Sequence, residues 1–166
     1  MDNTQEQFNK IIQKVEEMKK SGAVDLSMDE DLSIAVMNLV SLEEHFYFTA
    51  EKTGKDEYFN LMNEVRETRK ALLQKLIDKH EGETWCISKH LLATTMRLIE
   101  VGTKLYKDGK HANAKEIFDH AYKLYTLFWG LRLKLIDISG LKETTNHEKP
   151  WTLQDIMGKL VNCCDE

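Results

Sequence analysis

Leu32–Ala50, LSIAVMNLVSLEEHFYFTA, is the stretch whose reading decides the fold. It contains neither Gly nor Pro, and its apolar residues do not keep to one side. At about 100° per residue, Leu32, Leu39, Phe46 and Ala50 fall on one line. Ala35 and Leu42 flank that line on one side, Val36 and Tyr47 on the other, while Ile34, Met37 and Phe48 continue onto the back. A helix apolar nearly all round reads as a central one, covered by others. Glu43 projects close to the middle of the densest apolar line. A carboxylate there must find a partner, shift its pKa or point at something bound.

Working outward, the chain supplies further helices and little else. One Pro and eight Gly in 166 residues leave scant material for turns. Ser27 and Glu30 have capping-box spacing and predict a helix from about 29, which the TGKD turn at Gly54 ends at 53. A second helix over 56–79 carries the core line Tyr58, Leu61, Met62, Val65, Leu72 and Leu76, with Arg69 on the same apolar side. A third over 85–107 has the core line Ile87, Leu91, Leu98, Val101 and Leu105. Cys86, Lys89, Arg97, Glu100 and Lys104 share its polar side, with His90 at the border. A fourth over 112–138 has the core line Ile117, Ala121, Leu124, Phe128, Leu131 and Leu135, and Arg132 also projects into its apolar side. Short loops make these helices antiparallel neighbours, so the fold class expected is all-α: a four-helix antiparallel bundle over 29–139. Narrow apolar stripes at each end add amphipathic helices. Phe8, Ile11, Ile12, Val15 and Met18 lie in 1–28. Leu153, Ile156, Met157, Leu160 and Val161 lie in 140–166, after a polar linker.

Leu98, Val101, Gly102, Leu105, Gly109, Ala114, Phe118 and Ala121 stand at the spacing of a helical-hairpin motif. Residues 98–124 thereby resemble one tetratricopeptide repeat. In such a hairpin small residues at Gly102 and Ala114 let two antiparallel helices approach, and Phe118 fills the gap above them. The resemblance covers about a sixth of the chain and has no second copy in it. It implies a tight hairpin and points toward peptide binding.

Composition narrows the function. A net charge of −5 argues against a nucleic-acid partner, which needs a basic face. No apolar run approaches the 18 residues of a spanning helix, so no membrane partner is expected. The N-terminus lacks the apolar region of a signal peptide. With an odd three cysteines, reducing cytoplasm and free thiols are expected. Nucleophile-elbow, P-loop and dinucleotide motifs are absent, so neither catalysis nor a cofactor is expected.

Two constellations carry possible chemistry. Glu43, Arg69 and Arg132 are three charges projected into apolar faces of three helices. Glu43 sits opposite Val65 about the Gly54 turn, so Arg66 or Arg69 can reach it. The pair either fixes helix register or, because one Glu cannot neutralise two Arg, lines a pocket for a small anion. The other constellation is metal-like: Glu44 and His45 on the central helix, Cys86 with His90, and Glu116 with His120, each of the last two pairs one turn apart. Antiparallel register separates those pairs by about seven residues, roughly 10 Å, so one ion cannot bridge them. The chain also lacks the Glu-x-x-His of di-iron bundles. The reading favoured is a non-enzymatic cytoplasmic helical protein that binds another protein, with homo-oligomerisation through the terminal helices open. The alternative is a bundle that binds a small anion or a metal.

Overall fold

The computed structural model describes residues 26–77 and 83–135, with positions 13, 16–18 and 20–22 of the N-terminal segment. It is all-α: the described residues contain no strand. Four helices follow in order, α1 (Leu26–Thr53), α2 (Glu57–Leu76), α3 (Glu83–Lys107) and α4 (His111–Arg132). The chain divides into two compact units, Met1–Leu76 and Ile77–Glu166. In the first α1 packs on α2, and in the second α3 packs on α4. In the N-terminal segment positions 13, 16–18, 20 and 21 are helical, and Gly22 follows at φ +61°. The rest of that segment and the C-terminal stripe at 153–161 lie outside the described residues.

In the first unit, both helices alternate spacings of four and three. Leu32, Val36, Leu39, Glu43, Phe46 and Ala50 run along α1; Tyr58, Met62, Val65, Arg69, Leu72 and Leu76 run along α2. All twelve are buried or half-buried. Taken in reverse on α2, they pair at equal distances from Gly54: Ala50 with Tyr58, Phe46 with Met62, Glu43 with Val65, Leu39 with Arg69. This is the 3.5-residue repeat of an antiparallel coiled-coil seam. Gly54 sets its turn. It adopts φ +64°, and its N–H donates to the Ala50 carbonyl at 2.8 Å, closing α1 with the left-handed cap that glycine adopts most cheaply.

The second unit has the same plan with smaller residues. Trp85, Ser88, Leu92, Thr95, Ile99, Gly102 and Tyr106 alternate by three and four on α3. Ala114, Phe118, Ala121, Tyr125, Phe128 and Arg132 alternate by four and three on α4. Of these, Trp85, Ser88, Leu92, Thr95, Gly102, Ala114, Ala121 and Phe128 are buried, whereas Ile99 and Tyr106 are exposed. A Cβ built on Gly102 would clash with Phe118 Cε1 and lie 2.7 Å from Cδ1 and 3.0 Å from Cζ, so a glycine is what lets that ring lie against α3. Toward the open end Tyr125, Phe128 and Trp129 stack or meet edge to face at 5.7–6.1 Å. Trp85, Leu92 and Phe128 are fully buried there. In the hairpin at 98–124 Gly102 and Ala114 are both buried, and the Phe118 ring lies against Gly102.

Several expectations need correction. The capping box at Ser27 is not used: Leu26 is already helical, so Ser27 lies inside α1 rather than at its start. The central helix is not covered all round: Ile34, Leu42, Tyr47 and Phe48 are exposed. The α3 core is rotated from the expected line. Ile87, Leu91, Leu98 and Leu105 are only half-buried and Val101 is exposed, whereas Trp85, Cys86, Ser88, Leu92, Thr95 and Gly102 are buried. The seam uses small and hydroxyl-bearing residues to bring α4 close, and Thr95 satisfies its buried hydroxyl by donating to the Leu91 carbonyl at 2.8 Å. Helix α2 stops at Leu76 rather than 79.

Helix α4 stops at Arg132 rather than 138, for a visible reason. Lys134 takes φ +52°, its N–H donates to Leu131 O at 3.0 Å, and the Leu135 N–H donates to Gly130 O at 2.8 Å. These are the two bonds of a Schellman cap with Lys where glycine is usual. Gly109 closes α3 by the same pair of bonds, at φ +75°. Lys134→Gly is accordingly expected to stabilise the chain by about 0.5–1 kcal/mol through relief of the left-handed strain, whereas Gly109→Ala should destabilise it by about the same amount. Chemical denaturation of the two variants measures both signs.

Candidate functional site

The seam of the first unit is apolar except at Glu43 and Arg69. Glu43 lies where α1 faces α2, and the helix that carries it leaves only 8% of the residue exposed. Arg69 comes from the next seam step of α2 and is 1% exposed. Its Nε donates to Glu43 Oε1 at 2.8 Å and its Nη2 to Oε2 at 3.3 Å, a two-point contact between planar groups. Arg66, one turn earlier and off the seam, adds a third bond: its Nε donates to Oε2 at 3.1 Å. The Arg66 side chain is 42% exposed. Three donors therefore converge on one carboxylate, in two different environments.

Burial decides what each bond contributes. Moving Glu43 and Arg69 out of water carries a desolvation penalty of several kcal/mol per ion, which good geometry only roughly repays, so the pair is a weak source of net stability. It is a strong source of register: a one-residue slip of α2 on α1 would strand both charges among apolar neighbours. Arg66 sits in higher dielectric and adds about 1 kcal/mol or less. Nearby, the Lys70 ammonium meets Glu67 Oε1 at 3.0 Å on the outer side of α2.

Of the residues singled out from sequence, the structure brings together Glu43 and Arg69 and adds Arg66 to them. The Arg66 contact was already within reach of the Glu43–Val65 register. Arg132 belongs to the second unit, at the last seam position of α4, and is half-buried. Glu44 and His45 are both exposed. Cys86, expected on the polar side of α3, is instead buried at 1% exposure, where a thiol packs as a small hydrophobe. His90, one turn on, is exposed, as is His120, whose Nε2 stands 4.0 Å from Glu116 Oε1. Among the described residues no group of three or more His, Cys, Asp or Glu converges as a metal site would require. No described helix is long and apolar enough to cross a membrane.

The remaining chemistry is on the outside. Tyr122 is 75% exposed, Tyr106 58% and Phe48 50%, and Met28, Ile34, Tyr47, Leu61 and Val101 are exposed as well. Tyr106 leans edge-on against His111 across the α3–α4 turn at 4.4 Å, and Tyr47 meets Phe48 at 5.2 Å. No family model matches the chain, and neither a curated protein nor a solved structure matches it.

Proposed function

We propose that this protein is a non-enzymatic, cytoplasmic helical module that acts by binding another protein. The observation that carries this reading is the placement of large side chains. Both hairpins set large apolar or aromatic side chains in water, Tyr106 and Tyr122 on one, Tyr47 and Phe48 on the other. Tyrosine contributes large contact area at low conformational entropy and is enriched where proteins meet. The tetratricopeptide-like spacing of 98–124 supports a peptide-binding role for the second hairpin. The net charge of −5 supports a protein rather than a nucleic acid as the partner. In the same reading the two hairpins close into one antiparallel four-helix bundle. The amphipathic ends then dock on the bundle, on the partner or on a second copy.

Native mass spectrometry of the full chain, purified gently from its source, tests the class of function. A protein partner bound at fixed stoichiometry is the expected result. A small molecule or metal ion retained at one per chain, with no protein partner, would overturn it.

A further inference from the structure

Two buried polar atoms near the start of α3 make no hydrogen bond among the described residues: Trp85 Nε1 and Ser88 Oγ. Trp85 is 1% exposed and Ser88 0%, so bulk water reaches neither. Other buried hydroxyls of the chain are satisfied from within their own helix. Ser33 donates to the Glu30 carbonyl at 2.7 Å, and Thr95 donates to the Leu91 carbonyl at 2.8 Å. Ser88, two turns before Thr95 on the same helix, makes no such bond. The indole N–H of Trp85 can only donate, so it needs an acceptor brought to it. A buried polar group left unpaired loses its hydration for nothing in return, and such groups are rare in folded chains.

The two residues stand three apart in α3, which makes them neighbours on one helix face, with Cβ atoms about 5–6 Å apart. Side chains tilt toward the helix N-terminus, so Ser88 leans over the turn that carries Trp85. The chemistry of the two atoms selects what lies with them. A metal ion or an ammonium group cannot accept from an N–H, and an apolar group satisfies neither atom. An anion would share a helical turn with the half-buried Glu83 carboxylate and would carry the heavy desolvation penalty of a buried charge. A neutral water molecule accepts from one atom while it bonds the other, and folded proteins hold about one such buried water per 27 residues. We propose that a buried water molecule is built into the first two turns of α3, accepting from Trp85 Nε1–H and bonded to Ser88 Oγ. Ser88 then has a role that its size alone does not give it. Alanine would fit the same space and remove one of the two groups that hold the water.

A crystal structure of the full chain, at a resolution that shows ordered waters, tests this directly. A water peak at about 2.7–3.2 Å from both Trp85 Nε1 and Ser88 Oγ is the expected result. A protein acceptor on Trp85 Nε1 would overturn the proposal, as would a Ser88 hydroxyl turned onto the Thr84 carbonyl with no water on the indole. The peak should be lost in Ser88→Ala. A peak of unchanged height and position in that variant would show that Ser88 takes no part in holding it, and would overturn the bridge. Nuclear magnetic resonance gives a second readout in solution. The chain has three indoles, at Trp85, Trp129 and Trp151, and Trp85→Phe identifies the first by the signal it removes. The Trp85 N–H should show a direct Overhauser contact with water in the parent and lose most of it in Ser88→Ala. No contact in the folded parent would count against the buried water.

Discussion

Glu43→Gln should be the most damaging single change in the first unit, at about 3–5 kcal/mol, because it leaves the Arg69 charge buried without its counter-ion. The three-donor arrangement sets an order of effects. Arg69→Met leaves Glu43 still bonded to Arg66 at 3.1 Å, so its effect should be smaller than that of Glu43→Gln. Arg66→Met, at a half-exposed position, should fall at about 1 kcal/mol or below. The double variant Glu43→Gln with Arg69→Met has no buried charge left and should be more stable than Glu43→Gln alone. Urea denaturation of the four proteins measures the cycle. Additive effects below about 0.5 kcal/mol would mean that the pair does not interact in the folded chain.

Gly102→Val should be the corresponding lesion in the second unit, at about 3 kcal/mol, as an overpacked layer displaces α4. Gly102→Ala is the more discriminating test, because two effects oppose each other. Alanine improves helix propensity by about 1 kcal/mol. A Cβ there would clash with Phe118 Cε1 and lie 2.7 Å from Cδ1, overpacking that typically costs about 1–3 kcal/mol. Phe118 is half-buried with its ring against Gly102, and relieving the clash means moving that ring off α3, so the clash should win and the variant should be less stable. Combining it with Phe118→Leu, which removes the ring edge nearest Gly102, should recover part of the loss. A Gly102→Ala variant more stable than its parent would show that the layer at residue 102 has room to spare.

How much of this could be read from sequence depends on where hydrophobicity carries the phase. In α2 it does at every position but one: Tyr58, Met62, Val65, Leu72 and Leu76 of the apolar line lie in the seam, Leu61 is exposed, and Arg69 is conspicuous among the seam residues. In α3 it does not. The seam there is Ser88, Thr95 and Gly102 between large residues, and a count of apolar residues selects the neighbouring stripe of Leu91, Leu98 and Leu105 instead. Cys86 was misplaced by the same error of phase. The resemblance at 98–124 held the missing information, since it singled out Gly102, Ala114 and Phe118 for their sizes rather than their hydrophobicity. In α1 apolar residues surround the helix, so its phase comes from Glu43, whose charge can be buried only where an arginine meets it.

The Glu43 site was legible in part. The register about Gly54 brings Arg66 and Arg69 within reach of Glu43, and both bond to it. What sequence does not disclose is the division of labour between them. That division follows from α2 geometry, which puts Arg69 in the seam and Arg66 on its flank, three residues earlier and about 300° round the helix. Arg132, alike in sequence pattern, lies in the other unit.

The most direct test of the proposed function is the affinity of the full chain for the protein partner recovered with it, measured by calorimetry for the parent and for Tyr106→Ser with Tyr122→Ser. Both tyrosines are more than half exposed, so the double substitution should leave the melting temperature within about 2 °C of the parent. Affinity should fall at least about tenfold, the effect of losing roughly 1.4 kcal/mol of contact at an aromatic anchor. Unchanged affinity in a variant that melts like the parent would show that the exposed tyrosines of the second hairpin take no part in binding, and would contradict this reading.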